Sequence, residues 1–228
     1  MKPLRPGRPR FQAARSQGFG LLELLLALAL GLSLGGLMLQ ALVGEEANGW
    51  RLGRLLRERA FQRRTLELLR GEVARSVAVS VEPALESSPC GWAGRRPLLH
   101  LRLASGGVIT YAVGPPPDRI WRGQVLMRCG PAYDLDGEPG SSGWQNRVVL
   151  DGLATSAPTW GDCGGLLPTG AGRSPAGADR AGLSVCLDAA GGQVALRLQQ
   201  AFPLPGGRQQ TITSMASASL TAAIGSGR

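Results

Sequence analysis

The stretch Gly18-Phe19-Gly20-Leu21-Leu22-Glu23-Leu24 opens an apolar run from Phe19 to Val43 whose only charge is Glu23. As a helix this run would be roughly 37 Å long at ~1.5 Å per residue, enough to cross a ~30 Å hydrocarbon layer. Before it, residues 1–18 carry Lys2, Arg5, Arg8, Arg10 and Arg15 and no acid; just after it stand Glu45 and Glu46. Basic flanks stay on the cytoplasmic side, so the rest of the chain is expected outside the cytoplasm. A secretory signal has an apolar stretch of ~7–15 residues followed by a small-residue cleavage site. This run is longer and carries an acid near its start. A plain membrane anchor accounts for the length but not for Glu23, since an unpartnered carboxylate in a bilayer costs on the order of a few kcal/mol.

Glycine, aromatic and acid at this spacing, behind a basic leader and ahead of a long apolar run, resemble the prepilin leader motif of type IV pilins and type II secretion pseudopilins. Gly18, Phe19 and Glu23 match one by one, and Gly20 stands where that family commonly has Thr. The resemblance implies cleavage after Gly18 by prepilin peptidase and methylation of the new amine on Phe19. It implies an assembly role for Glu23, which would pair with that amine on its own or a neighbouring chain. Such a pair is far stronger in a low dielectric than in water. The implied partners are other pilins or pseudopilins in a filament, the peptidase and the inner membrane. No cofactor and no catalysis are implied.

No proline occurs between Pro9 and Pro83, so the helix is expected to continue as a stem to about Val77. Leu52, Leu55, Leu56, Leu66, Leu69, Val73 and Val77 recur at three- and four-residue steps and make one apolar stripe. Arg54–Glu58 and Arg63–Glu67 are i,i+4 pairs expected on the polar side. Glycines at 31, 35, 36, 44, 49 and 53 weaken the first half by up to ~1 kcal/mol each. Gly31-x-x-x-Gly35 also permits close helix contact. Packing notches between subunits and a stretch that loosens on assembly both account for these glycines.

After Pro83 the helical period stops. Gly 34 and Pro 16 together are about 22% of the 228 residues, against the ~12% of an average chain, which favours short strands and many turns. Leu99–Leu103 alternates cleanly, and Gly106-Gly107 reads as a two-residue turn into Val108–Val113. Asp118–Arg128 and Arg147–Leu150 are further strand candidates. Leu183–Leu187 and Gln193–Leu198 form a second hairpin around Ala189–Gly192. Residues 114–117, 137–143 and 164–177 read as loops. Val108–Val113 with its Tyr111, then Ile120-Trp121-Arg122, then Arg147–Leu153 look like the order of strands in W-type minor pilins and J-type minor pseudopilins. That likeness favours a minor, initiating or tip-located subunit.

Cys90, Cys129, Cys163 and Cys186 all fall in this region. An even count outside the cytoplasm reads as two disulfides, with three connectivities open and free buried thiols as the alternative. Leu183, Val185 and Leu187 share one strand face, so Cys186 points to the other, where the 154–182 loop could cover it. That favours Cys163–Cys186, and Cys90–Cys129 follows by elimination. The absence of C-x-x-C spacing argues against zinc.

The expected fold is α+β: a long N-terminal transmembrane and stem helix followed by an antiparallel β-sheet head, pilin-like. Its parts are a cleaved leader 1–18, a transmembrane helix 19–43, a helical stem 44–80 and an extracytoplasmic head 81–228, with the chain crossing the inner membrane once and the head in the periplasm or on the cell surface. Of the net charge of +9, only +2 falls on residues 76–228, so a nucleic-acid surface is weakly supported and stays open only through a pilus role. Asp134-x-Asp136-Gly137-Glu138 is rich in oxygen but lacks EF-hand spacing, and reads as an acidic turn rather than a calcium site. The single histidine, His100, alternates with Leu99 and Leu101 and is expected half-exposed, with no nucleophile to serve. Trp50 is expected at the headgroup level, and Trp92, Trp121, Trp144 and Trp160 are expected mostly in the core. A membrane-anchored binding protein and a tip adhesin or DNA-binding subunit are the alternative functions.

Overall fold

Leucine, alanine, arginine and glutamate dominate residues 21–74, and all favour helix. In the computed structural model, helix α1 spans Leu21–Ala74. The structure describes residues 20–81, 83, 88–155, 160, 163, 165–167, 182–188, 192–204 and 207–221, without the side chains of 43, 45–48, 141 and 142. Two compact units share α1, one ending at Arg54 and the other running from Leu55. In the first, Leu21–Leu42 has a mean hydropathy of 2.1 and none of it is buried within the chain. By length and composition it is sufficient to cross a membrane.

The second unit is the end of α1 and an antiparallel sheet. Strands β1 (Ser76–Val81), β2 (Arg96–Leu103), β3 (Val108–Gly114), β4 (Gln124–Tyr133) and β5 (Pro139–Leu153) follow one another as neighbours. Next to β5 comes β7 (Gln193–Pro203), which also pairs with β6 (Leu183–Leu187) and β8 (Gln209–Ser219). β6 comes close to β1 and β2, so the sheet curls towards itself. Inside the curl, Leu66, Leu69 and Val73 of α1 pack against Leu99, Leu101, Ile109, Tyr111, Leu126, Val185, Leu196 and Leu198. The layout is the expected α+β arrangement of an apolar helix followed by a sheet.

Several boundaries differ from expectation. The stem stops at Ala74, not at 80, and Val77 belongs to β1. Ser76-Val77-Ala78-Val79-Ser80-Val81 alternates small or polar with β-branched residues, and pairing with β2 satisfies its backbone where a helix end would leave carbonyls unpaired. The β2–β3 connection is Ala104–Gly107, four residues rather than two, with Gly106 at φ 82°. Asp118–Trp121 forms a turn, and the strand expected from Asp118 begins at Gln124. Residues 139–143 were expected in a loop but belong to β5, which hairpins with β4 through the Asp134–Glu138 turn. Of the 164–177 loop only 165–167 are described.

β8 had no counterpart in the sequence reading, because its inward residues Ser214, Ala216 and Ala218 are too small or polar to mark a strand. Gly182 matters for the junction of β5, β6 and β7. Its φ is 71°, and a Cβ there would lie 2.8 Å from the Ala154 backbone. In this tight space Gln199 N–H donates to Gly182 O at 2.7 Å and Ala154 N–H to Gln199 O at 3.0 Å.

The expected apolar stripe is only half buried. Leu66, Leu69 and Val73 are in the core, but Leu52 and Leu56 are 57% and 56% exposed. Leu69→Ala should therefore destabilise the protein by about 2–5 kcal/mol, whereas Leu56→Ala should change stability by less than ~0.5 kcal/mol. Denaturant midpoints of the full chain would show both.

Candidate functional site

The face that α1 turns to the sheet holds Glu58, Gln62, Thr65, Leu69 and Glu72, at alternating four- and three-residue steps. All are buried and only Leu69 is apolar. Burying a polar group without a partner costs at least ~1–3 kcal/mol, so each must be satisfied across the interface.

Glu72 is 1% exposed. It accepts hydrogen bonds from the Tyr111 hydroxyl on β3, the Tyr133 hydroxyl on β4, and Arg128 Nε on β4 at 2.6 Å. Arg128 also donates to Pro131 O at 3.0 Å and stacks over the Tyr133 ring, 4.7 Å from its centroid. Burial, then the charge of Glu72, pushes the Tyr111 phenol well above its usual range. Burial and the hydrogen bond to Glu72 do the same to Tyr133. Burial alone would lower the Arg128 pKa, but the Glu72 charge outweighs it and the net direction is upward.

Glu58, 4% exposed, anchors a second cluster four turns earlier. Arg122 donates to both its oxygens at 2.7 and 3.2 Å, and to Asp151 at 2.9 and 3.0 Å. Gln200 Nε2 donates to Asp151 O at 2.8 Å and to Glu58 Oε2 at 3.4 Å. Hydrogen bonds to Asp151 and then Glu58 raise the Arg122 pKa. Burial would raise Asp151, but its bonds to Arg122 prevail and hold it below the ordinary carboxylate range. Between the clusters, Gln62 donates to Ile212 O at 3.1 Å and accepts from Ser214, while Thr65 donates to Val149 O at 3.2 Å.

Chemically this seam locks the helix to the sheet. The Glu72–Arg128 pair is closed to solvent, so no substrate reaches it. Apolar periodicity does not mark the seam, because four of its five residues are polar. The signal available was the 58-62-65-69-72 spacing itself. Arg54–Glu58 was expected as a surface pair, yet Glu58 faces the sheet. Arg122 was expected on a strand; it lies in the loop before β4, and the fold brings it to Asp151 of β5.

Of the leader motif, Gly18 and Phe19 lie outside the described residues. Glu23 lies in the first turn of α1, exposed, beside Leu22 and Leu24 at 73% and 63% exposure. Among the described residues nothing bonds its carboxylate.

Cys90 is bonded to Cys129 and Cys163 to Cys186, the pairs favoured by the strand-face argument. Cys163 and Cys186 sit with Trp160, Leu167 and Ala195 in a cluster apart from the main core, on the face opposite Val185. Asp134 Oδ1 accepts the N–H groups of Asp136 and Glu138, so this acid builds the hairpin turn. Glu138 pairs with Arg75 at 3.3 Å. Among the described residues no three His, Cys, Asp or Glu side chains come together as a metal site. His100 is half-buried, bonds Thr110 Oγ1 at 2.9 Å, and has its pKa lowered by burial. Of the four head tryptophans only Trp160 packs in a core cluster; Trp92 and Trp121 are partly exposed and Trp144 is 46% exposed, against expectation, because β5 turns it outward near the sheet's end.

The chain matches no family model, no curated protein and no solved structure.

Tyr111 and Tyr133 are the chain's two tyrosines, and both bond Glu72. Their raised pKa values mean that the stabilisation is full below the ordinary tyrosine value of ~10 and is lost as pH rises through the folded values. Ultraviolet titration should show no tyrosinate at pH ~10–11 until the protein unfolds. Glu72→Ala should cost about 3–5 kcal/mol by stranding Arg128, and should bring tyrosinate formation to lower pH.

Proposed function

We propose that this chain is a minor pilin or pseudopilin: a structural, initiating subunit of a type IV pilus or type II secretion pseudopilus, cut after Gly18 by prepilin peptidase. The observation that carries this reading is the state of Glu23. It stands in the first turn of α1, whose apolar segment Leu21–Leu42 is unburied among the described residues. A carboxylate so placed needs a partner from outside the folded unit, as the leucines around it need a membrane or neighbouring helices. Cleavage at the Gly18–Phe19 junction would create an amine four residues before it, suited to pair with it on an adjacent subunit.

The head supports a structural role in two ways. Its charged cluster is spent on holding α1 to the sheet, and both disulfides suit an extracytoplasmic compartment. In this reading the subunit waits in the inner membrane with its head in the periplasm, then joins other pilins through α1. The head shows no chemistry that distinguishes a pilus from a secretion filament.

Amino-terminal sequencing of the mature protein should start at Phe19, and Gly18→Leu should leave the leader attached. A start beyond Val43 would overturn the reading. Glu23→Ala should leave membrane insertion intact, because it removes a costly charge from an apolar helix, and should abolish or sharply reduce recovery in sheared filaments. Normal incorporation of that variant would remove the pairing role.

A further inference from the structure

β3 and β4 carry a protruding loop at one end and a cleft at the other. The loop is Pro115-Pro116-Pro117-Asp118-Arg119-Ile120-Trp121-Arg122-Gly123. It is pinned at its start by Arg95 Nε donating to Pro115 O at 3.0 Å. At its end it is pinned by the bonds of Arg122 to Glu58 and Asp151 and by Gly152 N–H donating to Arg122 O at 2.6 Å. Despite this anchoring, Ile120 at its tip is 76% exposed. Three prolines fix φ near about −65°, so the loop has little freedom left to lose on docking.

The cleft opens between the β2–β3 turn and the β4–β5 hairpin, with a volume of about 300 Å³. Val108, Pro131, Pro139, Gly140, Gly143 and Trp144 line it, and none of the described lining residues is charged. Trp144 presents an exposed indole there, and the glycines leave backbone groups accessible. Proline-rich segments dock on aromatic-lined surfaces of this kind. Val108 and Pro131 lie at the ends of β3 and β4 opposite the loop, roughly 20 Å away at ~3.3 Å per residue.

Charge agrees with the shape. Arg119 in the loop and Asp136 on the hairpin that walls the cleft are both exposed, and neither forms an ion pair among the described residues. Loop and cleft are too far apart to meet within one chain.

We propose that the Pro115–Trp121 loop of one copy seats in the Trp144 cleft of a second copy, with Arg119 facing Asp136. The contact is heterologous, using two different patches, and so builds an open head-to-tail row rather than a closed two-fold dimer. It is a property of the head and does not depend on processing after Gly18.

A photoreactive benzoylphenylalanine at position 120 of the full chain, in membranes made from mixed ¹⁵N-labelled and unlabelled copies, tests it. Irradiation should give a ladder of dimers and larger species. Mass spectrometry should find the crosslink on the 139–147 segment of the other copy. Arg119→Glu or Asp136→Arg alone should cut the ladder about two- to fivefold, and the two together should restore it. Trp144→Ala should abolish it, with retention of both disulfides as the check on folding. No ladder, crosslinks to another surface or only to another protein, or a ladder indifferent to both charge reversals would overturn the proposal.

Discussion

A single carboxylate under the sheet, Glu72, fixes where the helix of the head must lie. Three donors from β3 and β4 converge on it. Apolar contact is non-directional, and Leu66, Leu69 and Val73 alone would tolerate small slides and rotations of α1 over the sheet. A hydrogen-bonded ion pair does not, because moving either partner leaves a buried charge unsatisfied. Replacing such a cluster by well-packed apolar side chains is often neutral or stabilising, so its contribution here is better understood as register than as raw stability. Glu58 repeats the device fourteen residues earlier, about 21 Å along the helix at ~1.5 Å per residue. Two such points define both the position and the rotation of α1.

This accounts for the contrast between the two parts of the helix. From Leu55 onward, its buried positions are mostly polar and are matched bond by bond by the sheet. From Leu21 to Leu42 it is strongly apolar, with Glu23 its one charge, and among the described residues none of it is buried. The glycines at 31, 35, 36, 44, 49 and 53 belong to this contrast. A Cβ at any of them would meet nothing within 4 Å among the described residues. Each costs up to ~1 kcal/mol in helix propensity, and a small residue at these positions leaves room for close helix approach.

The parts legible in the sequence were those where apolarity and periodicity coincide. The apolar helix, Leu99–Leu103, Val108–Val113 and the Leu183–Leu187 hairpin strand all satisfy that condition. The orientation of Cys186 was legible for the same reason: alternating leucine and valine mark one face of β6 and thereby the other. The polar seam was illegible because Glu58, Gln62, Thr65 and Glu72 keep helical spacing while departing from hydrophobicity, and their partners are 39–152 residues away. β5 was read short because glycine and proline at 137–143 usually break strands, yet here β4 carries the strand through them.

The two faces of the sheet are secured by different physics. The inner face holds α1 by burial and charge. On the outer face, β4 alternation places Cys129 opposite Arg128, and β6 alternation places Cys186 opposite Val185. Each disulfide therefore ties a segment outside the regular strands onto the side away from the helix. Segments outside regular strands lose about 1–2 kcal/mol of backbone entropy per residue on ordering. A bridge supplies about 2–4 kcal/mol, mainly by restricting the unfolded chain. The outer layer thus depends on its disulfides, while the helix–sheet core depends on apolar burial and on the Glu72 and Glu58 ion pairs. Reduction should accordingly loosen the Trp160 cluster before it disturbs the Glu72 cluster, because no bond of the inner seam passes through sulfur.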